Sequence, residues 1–251
     1  MSAFPAMMDA NGNWSVTFGS NEIPQGEYIS DVTVTTIDRN GNPDSVSTPV
    51  TVDTEVPDAP VVISYTEYTR GDPGVSGVGT ELSDDIVAIS QISGTGQVSN
   101  VAYDTRTVAE IPGVRDGELQ FTFNERIPDG SNLVINAEDA VGNESATFVV
   151  LDDNAPGVVD VSLAGLSGFD VGAIDLSIAG DSALTLSEAD LLGLSDDTNA
   201  LIIHGDTSDT VNIAGAQATG ATETIGGRVY DVYTLGDDGS LIIDHTVNVN
   251  Y

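Results

Sequence analysis

The sequence predicts an all-β protein, tandem antiparallel sandwiches followed by a mostly β module with one short helix. Three observations lead there. Short runs rich in Val, Ile, Thr and Tyr recur at close spacing, bounded by Gly, Asn, Asp and Pro, and helical periodicity is nearly absent from the first 150 residues. One phrase occurs twice: Asp38, Gly41 and Asn42 answer Asp139, Gly142 and Asn143, while Val52, Asp53 and Pro57 answer Leu151, Asp152 and Pro156. From Gly157 the composition turns toward Gly, Ala, Ser and Leu, and proline does not recur after Pro156.

Taken in order, strands are expected over 14–18, 28–37, 46–52, 61–65, 86–92, 119–123, 133–137 and 147–151, most of them alternating apolar and polar residues. The dipeptides Asn11-Gly12, Asn40-Gly41 and Gly142-Asn143 supply positive-φ positions for tight hairpins between them. The glycine-bearing stretches 70–77 and 94–96 read as interruptions where early strands of the second repeat are expected. In the last part a helix is expected over 187–194, capped by Ser187 with Leu191, Leu192 and Leu194 facing a core, and strands over 200–204, 210–213, 228–235 and 241–249. The expected domains are 1–56, the C-terminal half of a repeat; 57–155, a repeat; and 156–251, the module. Half a sandwich leaves an apolar sheet face and strand edges open, so the chain is expected to be a segment of a longer protein.

Forty acidic residues against six arginines and no lysine give a formal charge of −34. Such a surface repels phosphate backbones and anionic lipid, so neither nucleic acid nor membrane is expected as a partner. No apolar run reaches the roughly 18 residues that span a bilayer, so no membrane insertion is expected. The first residues lack a basic segment followed by an apolar one, so no cleavable N-terminal signal is expected. Cysteine is absent, which removes disulfides and thiolate chemistry.

Catalysis has little support. His204 and His245 stand apart in sequence, no Gly-x-Ser-x-Gly elbow, phosphate loop or dinucleotide fingerprint is present, and forty acids guarantee chance carboxylate pairs. No enzyme is expected. The acidic joints are the strongest site candidates. In a sandwich of the immunoglobulin type, the hairpin joining the last two strands sits at the pole where the chain enters. Asp139 then faces the joint carrying Asp53, Glu55 and Asp58. Calcium takes six to eight hard oxygen ligands in flexible geometry, which these acids with carbonyls and water could supply. By the same rule Asp152, Asp153 and Asn154 serve the joint to the module, and Asp38 a joint before the first repeat. The plainer reading stands beside it: Asp-x-x-Gly-Asn is also a common β-turn, and Asp before Pro a common linker. For Asp9 to Asn13 the hairpin turn is the expectation, and Asp206, Asp209, Asp237 and Asp238 read as solvated turns.

The segments NGNW, TTIDRNGN, VTVDTEVPDAP, EDAVGNES and VVLDDNAP resemble bacterial immunoglobulin-like repeats of giant surface adhesins exported by type I secretion. The stretches LTLSEADLLGLSDDTNALIIHGDTSDTVNI and VYDVYTLGDDGSLIIDHTVNV are similar to a module near the C-terminal end of such adhesins. The resemblance implies an extracellular, bacterial cell-surface stalk stiffened by Ca2+, acting in attachment or biofilm formation, with a C-terminal export signal. The alternatives are a module binding cell-surface carbohydrate or peptide, with Tyr65, Tyr68, Tyr103, Tyr230 and Tyr233 as candidates, or an accessory region of a secreted hydrolase.

Overall fold

The structure, a computed structural model, describes residues 6–18, 22–68, 73–111, 117–152, 157–195 and 198–251. The chain is mostly strand and divides into two compact units, Met1–Glu55 and Val56–Tyr251.

The first unit holds two antiparallel ribbons, β1 (Met7–Met8) with β2 (Trp14–Ser15), and β3 (Glu27–Ile37) with β4 (Pro43–Asp53). Alternation along β3 sorts the larger ribbon into two faces. Tyr28, Val32 and Val34 share one face with Val52, Val50 and Val46. On the other, the hydroxyl pairs Thr33–Ser47 and Thr35–Ser45 each lie at 2.9 Å. Among the described residues, no second sheet covers the apolar face.

In the second unit β5 (Val62–Tyr68), β6 (Gly74–Glu81), β7 (Ile86–Ile92), β8 (Val98–Asn100), β9 (Tyr103–Val108), β10 (Glu118–Pro128), β11 (Asn132–Glu138) and β12 (Glu144–Val149) come first. Then follow β13 (Val159–Asp160), β14 (Val171–Asp175), β15 (Ser182–Thr185), α1 (Glu188–Leu194), β16 (Ala200–His204) and β17 (Thr210–Asn212). The last four are β18 (Gln217–Ile225), β19 (Arg228–Leu235), β20 (Gly239–Asp244) and β21 (Asn248–Asn250). A nine-stranded sheet runs in the order β18-β19-β20-β16-β14-β12-β11-β7-β8, with the sheets β5-β6-β10-β9 and β13-β15-β17-β21 beside it.

The expected boundary at 156 does not separate the sheets. Strand β12 pairs in parallel with β14, Phe148 opposite Ile174, and Val150 N–H continues the ladder to the Asp175 carbonyl at 2.9 Å. The strands β11 and β12 are covered on both faces, which is why their sequences read as apolar runs. Leu133, Ile135, Val149 and Leu151 join a core with Val75, Val78, Phe121, Phe123 and Ile127. Val134, Ala146 and Phe148, pointing the other way, join Ile174, Leu184, Leu201, Val211, Leu241 and Ile243. Matched through the Asp loop, the first repeat carries Thr33, Ser45 and Ser47 where the second carries Val134, Ala146 and Phe148. Those exchanges from polar to apolar mark the face onto which the C-terminal module packs.

Within that module, leaving aside the hairpin of β18 and β19, the chain alternates between two parallel sheets, β13 to β14, β15 to β16, β17 to β20 and on to β21. That is a short solenoid, with α1 and the β18–β19 hairpin inserted between its strands. The helix starts where expected: Ser187 Oγ accepts from Asp190 N–H, Asp190 Oδ2 accepts from Ser187 N–H, and Leu191 and Leu194 are buried while Leu192 is half-buried.

Two expectations are corrected. The stretch 70–77, read as an interruption, overlaps the first half of β6, which is central in its sheet between β5 and β10. Its glycines are there for space, since a Cβ on Gly77 would lie 2.5 Å from the Phe121 carbonyl oxygen. The single strand expected over 241–249 is broken at Asp244, whose Oδ1 accepts from Thr246 N–H at 3.0 Å and from its hydroxyl at 2.7 Å, turning the chain from one sheet to the other.

Candidate functional site

The Asp-x-x-Gly-Asn loops have one geometry. In each, the Asp N–H bonds the Asn carbonyl, the Gly N–H bonds the Asp carbonyl, and the glycine takes φ of 87°, 87° or 97° at Gly12, Gly41 and Gly142. That is a three-residue hairpin loop with a left-handed final residue, and the Asn beside the glycine keeps an ordinary φ. The loop 93–97 repeats the pattern with Ser93 in place of Asp and Gly96 at φ 80°.

The carboxylate holds the loop from inside. Asp38 Oδ1 accepts from Asn40 and Asn42 N–H at 2.8 Å each, and Oδ2 accepts from Asn42 Nδ2 at 2.9 Å. Asp139 Oδ1 accepts from Val141, Gly142 and Asn143 N–H at 2.8, 2.8 and 3.0 Å, and Oδ2 from Asn143 Nδ2 at 2.7 Å. Asp9 repeats this with Asn11 and Asn13. At Asp38 the Asn42 side chain leads in holding the carboxyl below its ordinary range, and at Asp9 Asn13 does so. At Asp139 partial desolvation pushes upward, but Asn143 and the loop N–H groups outweigh it and the carboxyl is again lowered. This geometry is the turn reading made concrete, and it leaves Oδ2 as the oxygen with capacity for another partner.

The remaining expected ligands are placed as follows. Asp53, half-buried at the end of β4, accepts from Glu55 N–H at 3.1 Å and stands directly opposite Glu27. Like charges opposed across two strands destabilise the pair unless a cation screens them. Asp58 is exposed at the start of the second unit, and Asp152 is half-buried just after β12. Asp53, Glu55 and Asp38 belong to the first unit, and Asp58, Asp139 and Asp152 to the second. Asp153 and Asn154 lie outside the described residues. Among the described residues, no group of three or more His, Asp or Glu side chains is arranged to hold a metal ion.

A buried polar row was not anticipated. Across the nine-stranded sheet Asp175 stands opposite His204, and Tyr230 opposite Asp244. His204 Nδ1 lies 2.7 Å from the Tyr230 hydroxyl, Arg228 Nη2 donates to the Gly205 carbonyl at 3.1 Å, and Asp175 Oδ1 accepts from the Ser177 N–H at 2.9 Å. Arg228 Nε is 3.2 Å from Asp244 Oδ2 but not aligned as a hydrogen bond, so that contact is Coulombic. Burial lowers the His204 imidazole, with Arg228 acting the same way and Asp175 and Asp244 opposing. His204 is therefore held neutral, and Tyr230 is raised, mainly by burial. Asp175, His204 and Asp244 each end a strand of the solenoid, so these are the polar corners of its coils. The sequence does contain the signal, in Ile174-Asp175-x-Ser177, Ile203-His204-Gly-Asp206-x-Ser208 and Ile243-Asp244-x-Thr246.

Two shallow concave regions accompany these features. One, of about 370 Å³, is lined by Gly142, Asn143, Glu144, Phe169, Asp170 and Gly193 among others. The other, of about 470 Å³, is lined by Thr185, Ser187, Asp190, Asn212, Asn250 and Tyr251 among others. The buried row opens into neither. No family model, no curated protein and no solved structure matches this chain.

Proposed function

We propose that the chain is a non-enzymatic structural and adhesive segment of a large secreted surface adhesin, built from immunoglobulin-like repeats and a terminal module and working outside a bacterial cell in attachment. The observation that carries this reading is the recurrence of one hairpin, with the same Asp loop and the same apolar face, in two units of a strongly acidic, mostly strand chain. Such a chain is suited to transmit load through sheets rather than to turn over a substrate. Its histidines support that reading, since His204 is buried against Tyr230 and His245 pairs with Asp231 at 2.8 Å.

Calcium is the proposed stiffener. Asp53 and Glu55 close the first unit, and Glu27 opposite Asp53 adds a repulsion that a divalent cation relieves. In the second unit the reading keeps Asp58, Asp139 and Asp152 as candidate ligands, Asp152 for a separate joint from the other two. Calorimetric titration of calcium into the protein and into an Asp53→Asn, Glu55→Gln variant tests this. The reading expects a saturable site that magnesium does not fill and that the variant loses. Equal heats for both metals, or for both proteins, remove calcium from the function.

A second reading, a carbohydrate-binding module, is favoured by the cleft that combines Asn212, Asn250 and Thr185 with the exposed Tyr251 ring. Glycan-array binding that Tyr251→Ala abolishes would select it.

A further inference from the structure

Two of the Asp loops carry the dipeptide Asn-Gly at their tips, Asn11-Gly12 and Asn40-Gly41, and the sequence has no other. The hairpin accounts for these glycines, each at φ 87°, but not for the asparagines before them. The matching residue is Val141 in the loop of the second repeat and Thr95 in the Ser93 loop, so the turn does not require an amide there. Asn11 and Asn40 are exposed, and a Cβ on Gly12 or Gly41 would meet nothing within 4 Å. With no substituent on the glycine and open space around it, its nitrogen lies within reach of the preceding side chain.

We propose that Asn40 and Asn11 are sites of spontaneous covalent modification, deamidation through a cyclic imide, at a rate that the Asp loop holds down. At the first of them the Gly41 nitrogen, its proton lost to solvent base, attacks Cγ of Asn40. The N–Cγ bond forms, the Cγ–Nδ2 bond breaks, and ammonia leaves with a proton taken from water. Water then opens the imide at either carbonyl, giving aspartate or isoaspartate. Each event adds a negative charge to a chain already at −34, and isoaspartate also adds a carbon to the backbone between residues 40 and 41. The bonds from Asp38 N–H to the Asn42 carbonyl and from Gly41 N–H to the Asp38 carbonyl, both 3.0 Å, cannot both keep their geometry across that longer loop. The same loop supplies the restraint. The Gly41 proton that must leave is held by the Asp38 carbonyl, and Asp38 Oδ1 fixes Asn40 through its N–H at 2.8 Å. Gly12 and Asn11 are held in the same way by Asp9. Val141 and Thr95 exempt the matching loops of the second unit, so the change is confined to the first.

The test ages the full chain at mildly alkaline pH and maps its peptides by mass. Asn40 and Asn11 are expected to gain about 1 Da each, as a mixture of aspartate and isoaspartate. Over the same interval Asn42, whose successor Pro43 has no N–H, and Asn143, followed by Glu144, should not change. The gain at Asn40 should be slowest in the folded chain, faster in Asp38→Ser, which keeps the hydroxyl acceptor that closes the 93–97 loop, faster again in Asp38→Ala, and fastest in urea. Amide hydrogen exchange over β3 and β4 establishes that each variant keeps its ribbon, so that a released loop is told apart from a lost fold. Any of three results overturns the proposal: no gain at Asn40 or Asn11, a gain at Asn143 as fast as at Asn40, or a rate at Asn40 that neither variant nor urea raises.

Discussion

Asp139 accepts four hydrogen bonds within a five-residue loop, so Asp139→Ala strips the hairpin of its internal scaffold while leaving the β11–β12 ladder in place. The expected outcome is a lower unfolding midpoint for the second unit, with Asp139→Asn milder because it keeps one acceptor. The pH dependence has a definite sign. Asp9, Asp38 and Asp139 are lowered from 3.8 in the folded chain, so their stabilisation is present above that value and lost as pH falls below it. His204 acts earlier. Its imidazole is lowered from 6.5 by burial, so folding loses stability as pH falls through 6.5, and melting followed between pH 7.5 and 5 on the order of half a unit per step should register it. Asp209, raised by burial, has the opposite sign, its contribution being lost as pH rises above 3.8. Tyr230→Phe leaves His204 Nδ1 without its partner and is expected to cost about 1–3 kcal/mol by denaturant unfolding.

At the scale of elements, the hairpins and the helix were legible because local chemistry decides them. An Asp-x-x-Gly-Asn loop closes itself, and Ser187 with Asp190 caps α1 from four residues of sequence. Strand β6 was not legible, because its glycines answer to the neighbouring backbone rather than to any strand propensity. Gly77→Ala therefore forces a Cβ against Phe121 and should destabilise the second unit by about 1–3 kcal/mol, an overpacking cost measurable by denaturant unfolding. The solenoid was hidden by uneven spacing. Ala173, Ile202 and Ile242 stack in register, but the intervals between them are 29 and 40 residues because α1 and the β18–β19 hairpin are inserted. The packing of the module onto the repeat was readable in principle, in the exchanges of Thr33, Ser45 and Ser47 for Val134, Ala146 and Phe148. Phe148→Ala, at a position with no exposure, is expected to cost about 3–5 kcal/mol.

At the scale of the molecule, two compact units in place of three domains change what unfolding should look like. The repeat and the module share a nine-stranded sheet and bury β11 and β12 between two cores, so residues 56–251 should unfold in one cooperative calorimetric transition. The ribbons of the first unit, with an apolar face open, should melt earlier. Both transitions stand against a formal charge of −34, which any salt will partly screen. Screening is general, whereas a ligand site is selective, and that difference isolates the proposal that acidic joints take calcium. The most direct measurement is thermal unfolding of the full chain with calcium against magnesium at fixed ionic strength. A saturable rise in the first unit's midpoint that magnesium does not reproduce is the result expected of a calcium-stiffened stalk. An equal rise with both ions, or none, would contradict it.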